Sequence, residues 1–347
     1  MACALFVVGC SDSVDPADGT GAGSGTPSGS GATGTGGGAS SGPGVGGGVG
    51  DSYTVTFDPI TVSPGQENTQ CVTKRLTNDT EIKVGKIHNE LQAGSHHLIV
   101  YRTVDTEEAP DPVNCQPFAD TLDPAKGAPL MVTQKHDELL ELPAGVGFSL
   151  QAGQMVRLEM HYINATSEDL QVGATSTFYE MADGTFQNEA DFLFLGNPDI
   201  KIPPNAPYTV GPTFLPLPDK VAGANFFGIT GHTHQWGKDV KVNVATDKAD
   251  TGTEVYNVPG WQWDEPATVI HDPPFQLPEG GGFRFTCEYQ NGSNQEVGFG
   301  ESAKDEMCFF WAYYYPSVGA FVCAHTDQIA GGIDICCPGS IACSQLF

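Results

Sequence analysis

NFFGITGHTH, residues 225–234, is an apolar run that ends in two histidines one residue apart. A strand projects alternate side chains to one face, so read as a strand it sets His232 and His234 on the same side. The reading extends outward in both directions. HHLIVYRTV (96–104), MVRLEMHYIN (155–164), VKVNVAT (240–246), FRFTCEYQN (283–291) and CFFWAYYYP (308–316) are further short runs rich in β-branched and aromatic residues. Gly, Pro, Asp and Asn fill the stretches between such runs. Helical periodicity is scarce, and HDELLEL (136–142) is its best candidate. The pattern predicts an all-β protein built of sandwiches. GNPDIKIPPNAPY (196–208) is proline-rich and aperiodic, which marks a domain boundary near residue 200.

The chain carries 42 acidic and 15 basic residues, a net charge of −27. Such a surface repels phosphate backbones and anionic lipid, so nucleic acid is excluded as a partner. Ten cysteines, without the paired spacing of a zinc site, point to disulfides and an oxidising compartment. MACALFVVGCSD (1–12) holds a short apolar run, Ala4 to Gly9, that ends in VVGC and resembles a bacterial lipoprotein signal with Cys10 as the lipidated cysteine. Residues 11–50 are almost all Gly, Ser, Thr, Ala and Pro, a composition that cannot bury a core and suits a disordered tether. No other stretch is long and apolar enough to span a membrane. The expectation is an exported, monomeric bacterial lipoprotein facing the periplasm or the cell surface, touching membrane only through its anchor.

Nine histidines are spread along the chain, five of them inside strand-like runs. His161 closes an apolar run, where a buried imidazole needs a partner. His96 and His97 are adjacent, and adjacent strand residues face opposite sides. Both reach one metal only if the strand twists or bulges there, or if they coordinate through different ring nitrogens. Gly94 would ease such a distortion. Met307 would ordinarily fill a core gap, but a thioether is also a soft ligand that favours Cu(I). Two histidines with a methionine point to copper; three histidines without a carboxylate suit copper or zinc. His88, His136, His271 and His325 read as surface or hydrogen-bonded structural residues.

Taken in order, HHLIVYR (96–102), LPAGVGFSLQAGQMVRLEMHYIN (142–164), GHTHQWGKDV (231–240) and GESAKDEMCFFWAYYYP (300–316) resemble four segments of the copper type II, ascorbate-dependent monooxygenases. The resemblance implies two tandem jelly-roll-type β-sandwich domains, here 51–200 and 201–347. It implies a first copper on His96, His97 and His161 that stores an electron. It implies a second on His232, His234 and Met307, where O2 binds. Ascorbate or another one-electron reductant would supply electrons, and an activated C–H bond of a small-molecule substrate would be hydroxylated. The resemblance also pairs Cys71 with Cys115 and Cys287 with Cys308, the latter bracing Met307. Cys323, Cys336, Cys337 and Cys343 keep three possible pairings, although a bond between the adjacent Cys336 and Cys337 would be strained.

Peptide-amidating members of that family hold a substrate carboxylate with an arginine two residues before the His-x-His pair; this chain has Thr230. Phe309, Phe310 and Trp311 follow Cys308 where those members use polar groups. Thr230, Phe309 and Trp311 are therefore the pocket candidates, and the expected substrate is apolar or aromatic. The alternative reading is a non-catalytic copper-binding surface lipoprotein. A zinc hydrolase on three histidines would leave Met307 without a role.

Overall fold

The computed structural model describes residues 50–118, 126–328 and 331–338. The signal at 1–10 with Cys10, the tether at 11–49 and Cys343 lie outside the described residues. What is described is β throughout, with one three-residue 3-10 turn at Asp219–Val221. No described helix is long and apolar enough to cross a membrane.

Four main sheets follow from the alternating runs. In the first half, Ser52–Val62, Leu170–Glu180, Ile82–Leu91 and Val146–Leu150 line up in one sheet. Ala109–Asn114, Glu67–Arg75, Met155–Ile163, Ser95–Thr103 and Gly127–Thr133 form the other. In the second half, Val269–Gln276, Asn225–His232, Phe309–Tyr315, Asp191–Gly196, Phe321–Thr326 and Ile333–Cys337 make a six-stranded sheet. Pro207–Pro216, Gly282–Gln290, Gly237–Ala245 and Thr253–Asn257 make a four-stranded one. The pairing is mostly antiparallel, with Asp191–Gly196 and Phe321–Thr326 running parallel. Between Gly196 and Pro207 the chain contributes a two-residue strand, Lys201–Ile202, paired with Val297–Gly298.

Residues 136–142, the best helical candidate in the sequence, do not form a helix. Asp137–Glu141 is a strand paired along Ile82–Leu91, with Leu140 opposite Ile87. Only Leu140 of those five is buried. A stretch this short pays helix nucleation for few hydrogen bonds, whereas the neighbouring strand satisfies its backbone at once.

Two apolar cores lie in one compact unit. The Phe309–Tyr315 strand feeds both. Phe309, Trp311 and Tyr313 project into the first core and Phe310, Ala312 and Tyr314 into the second, as the two-residue period of a strand requires. That explains an almost unbroken aromatic run: a strand buried on both faces has no polar side to alternate with. Cys71–Cys115 ties Glu67–Arg75 to the residue after Ala109–Asn114, Cys287–Cys308 ties the four-stranded sheet to the residue before Phe309–Tyr315 in the six-stranded one, and Cys323–Cys336 cross-links paired strands. The last of these joins Phe321–Thr326 to Ile333–Cys337 and leaves the adjacent Cys336 and Cys337 unbonded to each other.

Candidate metal centre

His97 stands opposite His161 on the neighbouring strand, and the register slips between Ser95 and His97. This slip is the bulge that adjacent histidines need in order to turn to one side, and Gly94 precedes it at φ 82°, a conformation that costs glycine little. The three rings close on one another. Centroid distances are 5.4 Å for His96–His97, 5.2 Å for His96–His161 and 5.0 Å for His97–His161. One ligand atom from each lies within 4.8 Å of the others.

Glu67 orients the third ring. His161 donates from Nε2 to Glu67 Oε1 at 3.1 Å, which leaves Nδ1 for a metal. Glu67 also accepts the Ala303 amide at 2.9 Å. The His161 bond foremost, and the Ala303 amide with it, draw this carboxyl down to about 2. Neither ring nitrogen of His96 or His97 has a hydrogen-bond partner, although both residues are buried. Burial first, and then the neighbouring rings, lowers His96 to about 4 and His97 well below the usual imidazole value. Neutral rings with idle nitrogens are what metal ligation requires.

His232 ends the Asn225–His232 strand, paired with Phe309. His234 follows two residues on, and the ring centroids are 5.0 Å apart. The antiparallel pairing ends at His232 and Phe309, and His234 and Met307 each lie two residues beyond it on their own segments. His234 Nδ1 faces the Asp305 carbonyl at 3.2 Å, and its backbone N–H donates to Glu306 Oε2 at 2.8 Å. Glu306 accepts the Trp236 amide at 2.6 Å as well, so one carboxyl ties the His-x-His turn to the methionine segment. Burial pushes that carboxyl up to about 7 against these amide bonds. Met307 is 2 % exposed; Tyr289 donates to its carbonyl at 2.6 Å, and its neighbour Cys308 is bridged to Cys287. Burial lowers His234 to about 3 and His232 well below its usual value. His232 Nε2 is buried with no partner.

The two sets adjoin. His97 and His232 have centroids 6.1 Å apart, and His96 and His234 6.4 Å. Trp263 meets His96 edge-on at 5.1 Å, and Phe118 packs on His97 at 5.4 Å. His96 opens onto a cavity of about 420 Å3, whose walls include Gln134, His136, Trp263, Asp264 and Glu265. A larger hollow of about 740 Å3 lies beside His88 and Asp137 and touches none of these ligands.

Thr230, Phe309 and Trp311 are all buried and do not line the 420 Å3 cavity. Thr230 shares a 2.8 Å hydroxyl contact with Thr268, Phe309 stacks on Phe194 at 5.0 Å, and Trp311 lies 6.2 Å from the His232 ring. His88, His136, His271 and His325 each hydrogen-bond a carboxylate or a carbonyl. Sequence reading missed Glu67, Gln134, Trp263 and Phe118. Glu306 stands beside Met307 and could have been marked by that adjacency; the others come from distant segments with no local signal.

Fold and site define a β protein with a buried cluster of three imidazoles, His96, His97 and His161, beside a second imidazole pair, His232 and His234. Clustered imidazoles with no carboxylate among the cluster of three suit copper or zinc, and a methionine near the second pair would add a soft sulfur that favours copper. Residues 189–330 match the family described as copper type II ascorbate-dependent monooxygenase, C-terminal domain. The match spans His232, His234 and Met307, so this part of the chain is similar to the C-terminal domain of the copper type II ascorbate-dependent monooxygenases. No curated protein matches the chain. Similar solved structures include the major capsid protein P2 from Bacteriophage PM2, at 8 % identity and TM-score 0.33, covering 77 % of this chain and 99 % of that one. PNGase F, a glycosylasparaginase from Flavobacterium meningosepticum, is similar at 12 % identity and TM-score 0.33, covering 81 % and 99 %. At that score neither likeness bears on fold or activity.

Proposed function

We propose that the protein is a two-copper monooxygenase that hydroxylates an activated C–H bond of an apolar or aromatic small molecule. The observation that carries this is the pair of adjoining, buried ligand sets with idle ring nitrogens, one of them inside the matched domain. His96, His97 and His161 would hold the electron-storing copper, and His232, His234 and Met307 the one at which O2 is activated. Bound copper would supply one-electron transfer and O2 activation. The chain's own residues do the rest. Glu67 fixes the His161 ring through Nε2 and leaves Nδ1 as the nitrogen that could take a metal. Glu306 and the Cys287–Cys308 bridge hold the segment that carries Met307. Burial keeps all four remaining imidazoles neutral and excludes water from them.

The 420 Å3 cavity against His96 is of the size that small ligands occupy, and Trp263 offers it an aromatic wall. Thr230 supplies no charge for a substrate carboxylate, which supports a substrate other than a peptide C-terminus.

Copper loading tests the assignment. The whole protein is expected to take up about two equivalents and Met307→Ala or His234→Ala about one, since each variant removes a ligand of the second set only. Unchanged uptake in both variants would remove the second site. O2 consumption with ascorbate should then rise with aromatic or aliphatic substrates; efficient turnover of glycine-extended peptides instead would overturn the substrate class.

A further inference from the structure

Gln134 belongs to the first half of the chain and follows directly on the Gly127–Thr133 strand. It is 3 % exposed, and its side-chain amide reaches into the second half. Nε2 donates to the Gly231 carbonyl at 3.3 Å, and Oε1 lies 2.5 Å from His232 Nδ1. These two contacts fix each other. A carbonyl oxygen only accepts, so the amide nitrogen must face Gly231 and the amide oxygen must face His232. That oxygen also only accepts, so His232 must carry its proton on Nδ1. The bare nitrogen is then Nε2, the buried atom that lacks a partner.

Nearby contacts hold this segment against the second half. The Val132 amide donates to the Tyr313 hydroxyl at 3.4 Å, and the Thr268 hydroxyl donates to Glu138 at 2.8 Å. Gln134 thus stands between the two ligand sets, bonded to His232 and sharing a cavity wall with His96.

We propose that Gln134 is a positioning residue for the second copper: it locks His232 in the Nδ1–H tautomer and aims Nε2 at the metal. The proposal rests on the copper reading above. It makes the second site depend on a residue of the first half, so that a competent His232 exists only when the two halves are joined along residues 132–138. A partner at the far nitrogen of a ligating histidine sets both ring orientation and ligand basicity, and losing one typically costs about 10–100-fold in metal affinity.

The test is copper affinity by chelator competition on the whole protein, with the Cu(II) EPR spectrum recorded at one and two equivalents. Gln134→Leu should lower affinity at the second site by about 10–100-fold, alter its EPR hyperfine splitting and leave the first site unchanged. Retained first-site binding in the same sample controls for folding. Gln134→Glu returns an acceptor oxygen to the same place and should restore most of the lost affinity and the native spectrum. A wild type that takes up no second copper overturns both the copper reading and this proposal. Two coppers in the wild type, with Gln134→Leu indistinguishable from it, overturns the proposal alone. Equal loss in the Leu and Glu variants also overturns it, because bulk and not the hydrogen bond would then be what counts.

Discussion

Glu301 carries a carboxyl oxygen, Oε2, that is buried without a hydrogen-bond partner. Burial first, and then the charge of Glu159, pushes this carboxyl from 4.5 up to about 8. The folded state therefore holds the proton more tightly than the unfolded chain does. The contribution to stability is complete below about 4.5 and is lost as pH rises through about 8. Glu301→Gln cannot ionise, so its stability should gain on the wild type between pH 5 and pH 8.5. A gain of about 1 kcal/mol, or roughly 2 °C in melting temperature, is a conservative expectation for a chain of this size. Thermal melts of the metal-free protein at the two pH values measure it, and a difference that does not change with pH contradicts it. Glu67 shows the opposite perturbation, being drawn down to about 2 chiefly by His161. Glu306 is marked in the sequence only by its place beside Met307, and no local feature marks Glu67 or Glu301. Their states are set by groups brought in from distant parts of the chain, which is why the histidines were legible as candidates and their supporting carboxylates were not.

Strands were legible because both of their signals are local. The aromatic run at Phe309–Tyr315 was legible as a strand but not as one buried on both sides, and reading His232 and His234 as strand residues put them on one face, whereas only His232 lies in the strand. The bulge at His96 was legible as one of the ways, beside a twist or the use of different ring nitrogens, in which two adjacent histidines could reach one metal. What a strand is packed against was not legible. Gly196 appears in sequence as the first residue of a proline-rich connector, yet it closes the Asp191–Gly196 strand directly opposite Phe309. A Cβ there would fall 2.1 Å from Phe309 Cδ1, so the ring occupies the space a side chain would need. The neighbour is a rigid ring held between Phe194 and Phe299, not the loose end of a flexible chain. Gly196→Ala should therefore cost about 1–3 kcal/mol, the usual range for overpacking. Phe309 is two residues from Met307, so the same variant should weaken copper binding at the second site and spare the first. A Gly196→Ala protein with the wild-type melting temperature would show that the strand shifts freely.

At the scale of the molecule, the clustered histidines come from two halves that the sequence reads as successive sandwiches. The structure joins them through apolar surface. Phe227, Met307, Phe309, Trp311 and Tyr313 come from the second half and pack in the first core, together with Phe194 of the Asp191–Gly196 strand, which lies before residue 200 but joins the second half's sheet. One strand, Phe309–Tyr315, thus serves both cores, and it also leads out of the segment that carries Met307. Loss of either core would expose one face of that strand to water, at about 1.5–3 kcal/mol for each large side chain uncovered. Neither half can melt without uncovering the aromatic face shared with the other. The metal-free protein with its disulfides intact should therefore show a single calorimetric transition, with calorimetric and van't Hoff enthalpies in agreement. Trp311→Ala should lower that one transition by about 3–5 kcal/mol of stability without splitting it, as expected for a buried large-to-small change. Two resolved transitions in the wild type would mean that the halves fold independently. The adjoining of His97 with His232 would then reflect one docking arrangement of two separable bodies and not a centre built into a single cooperative core.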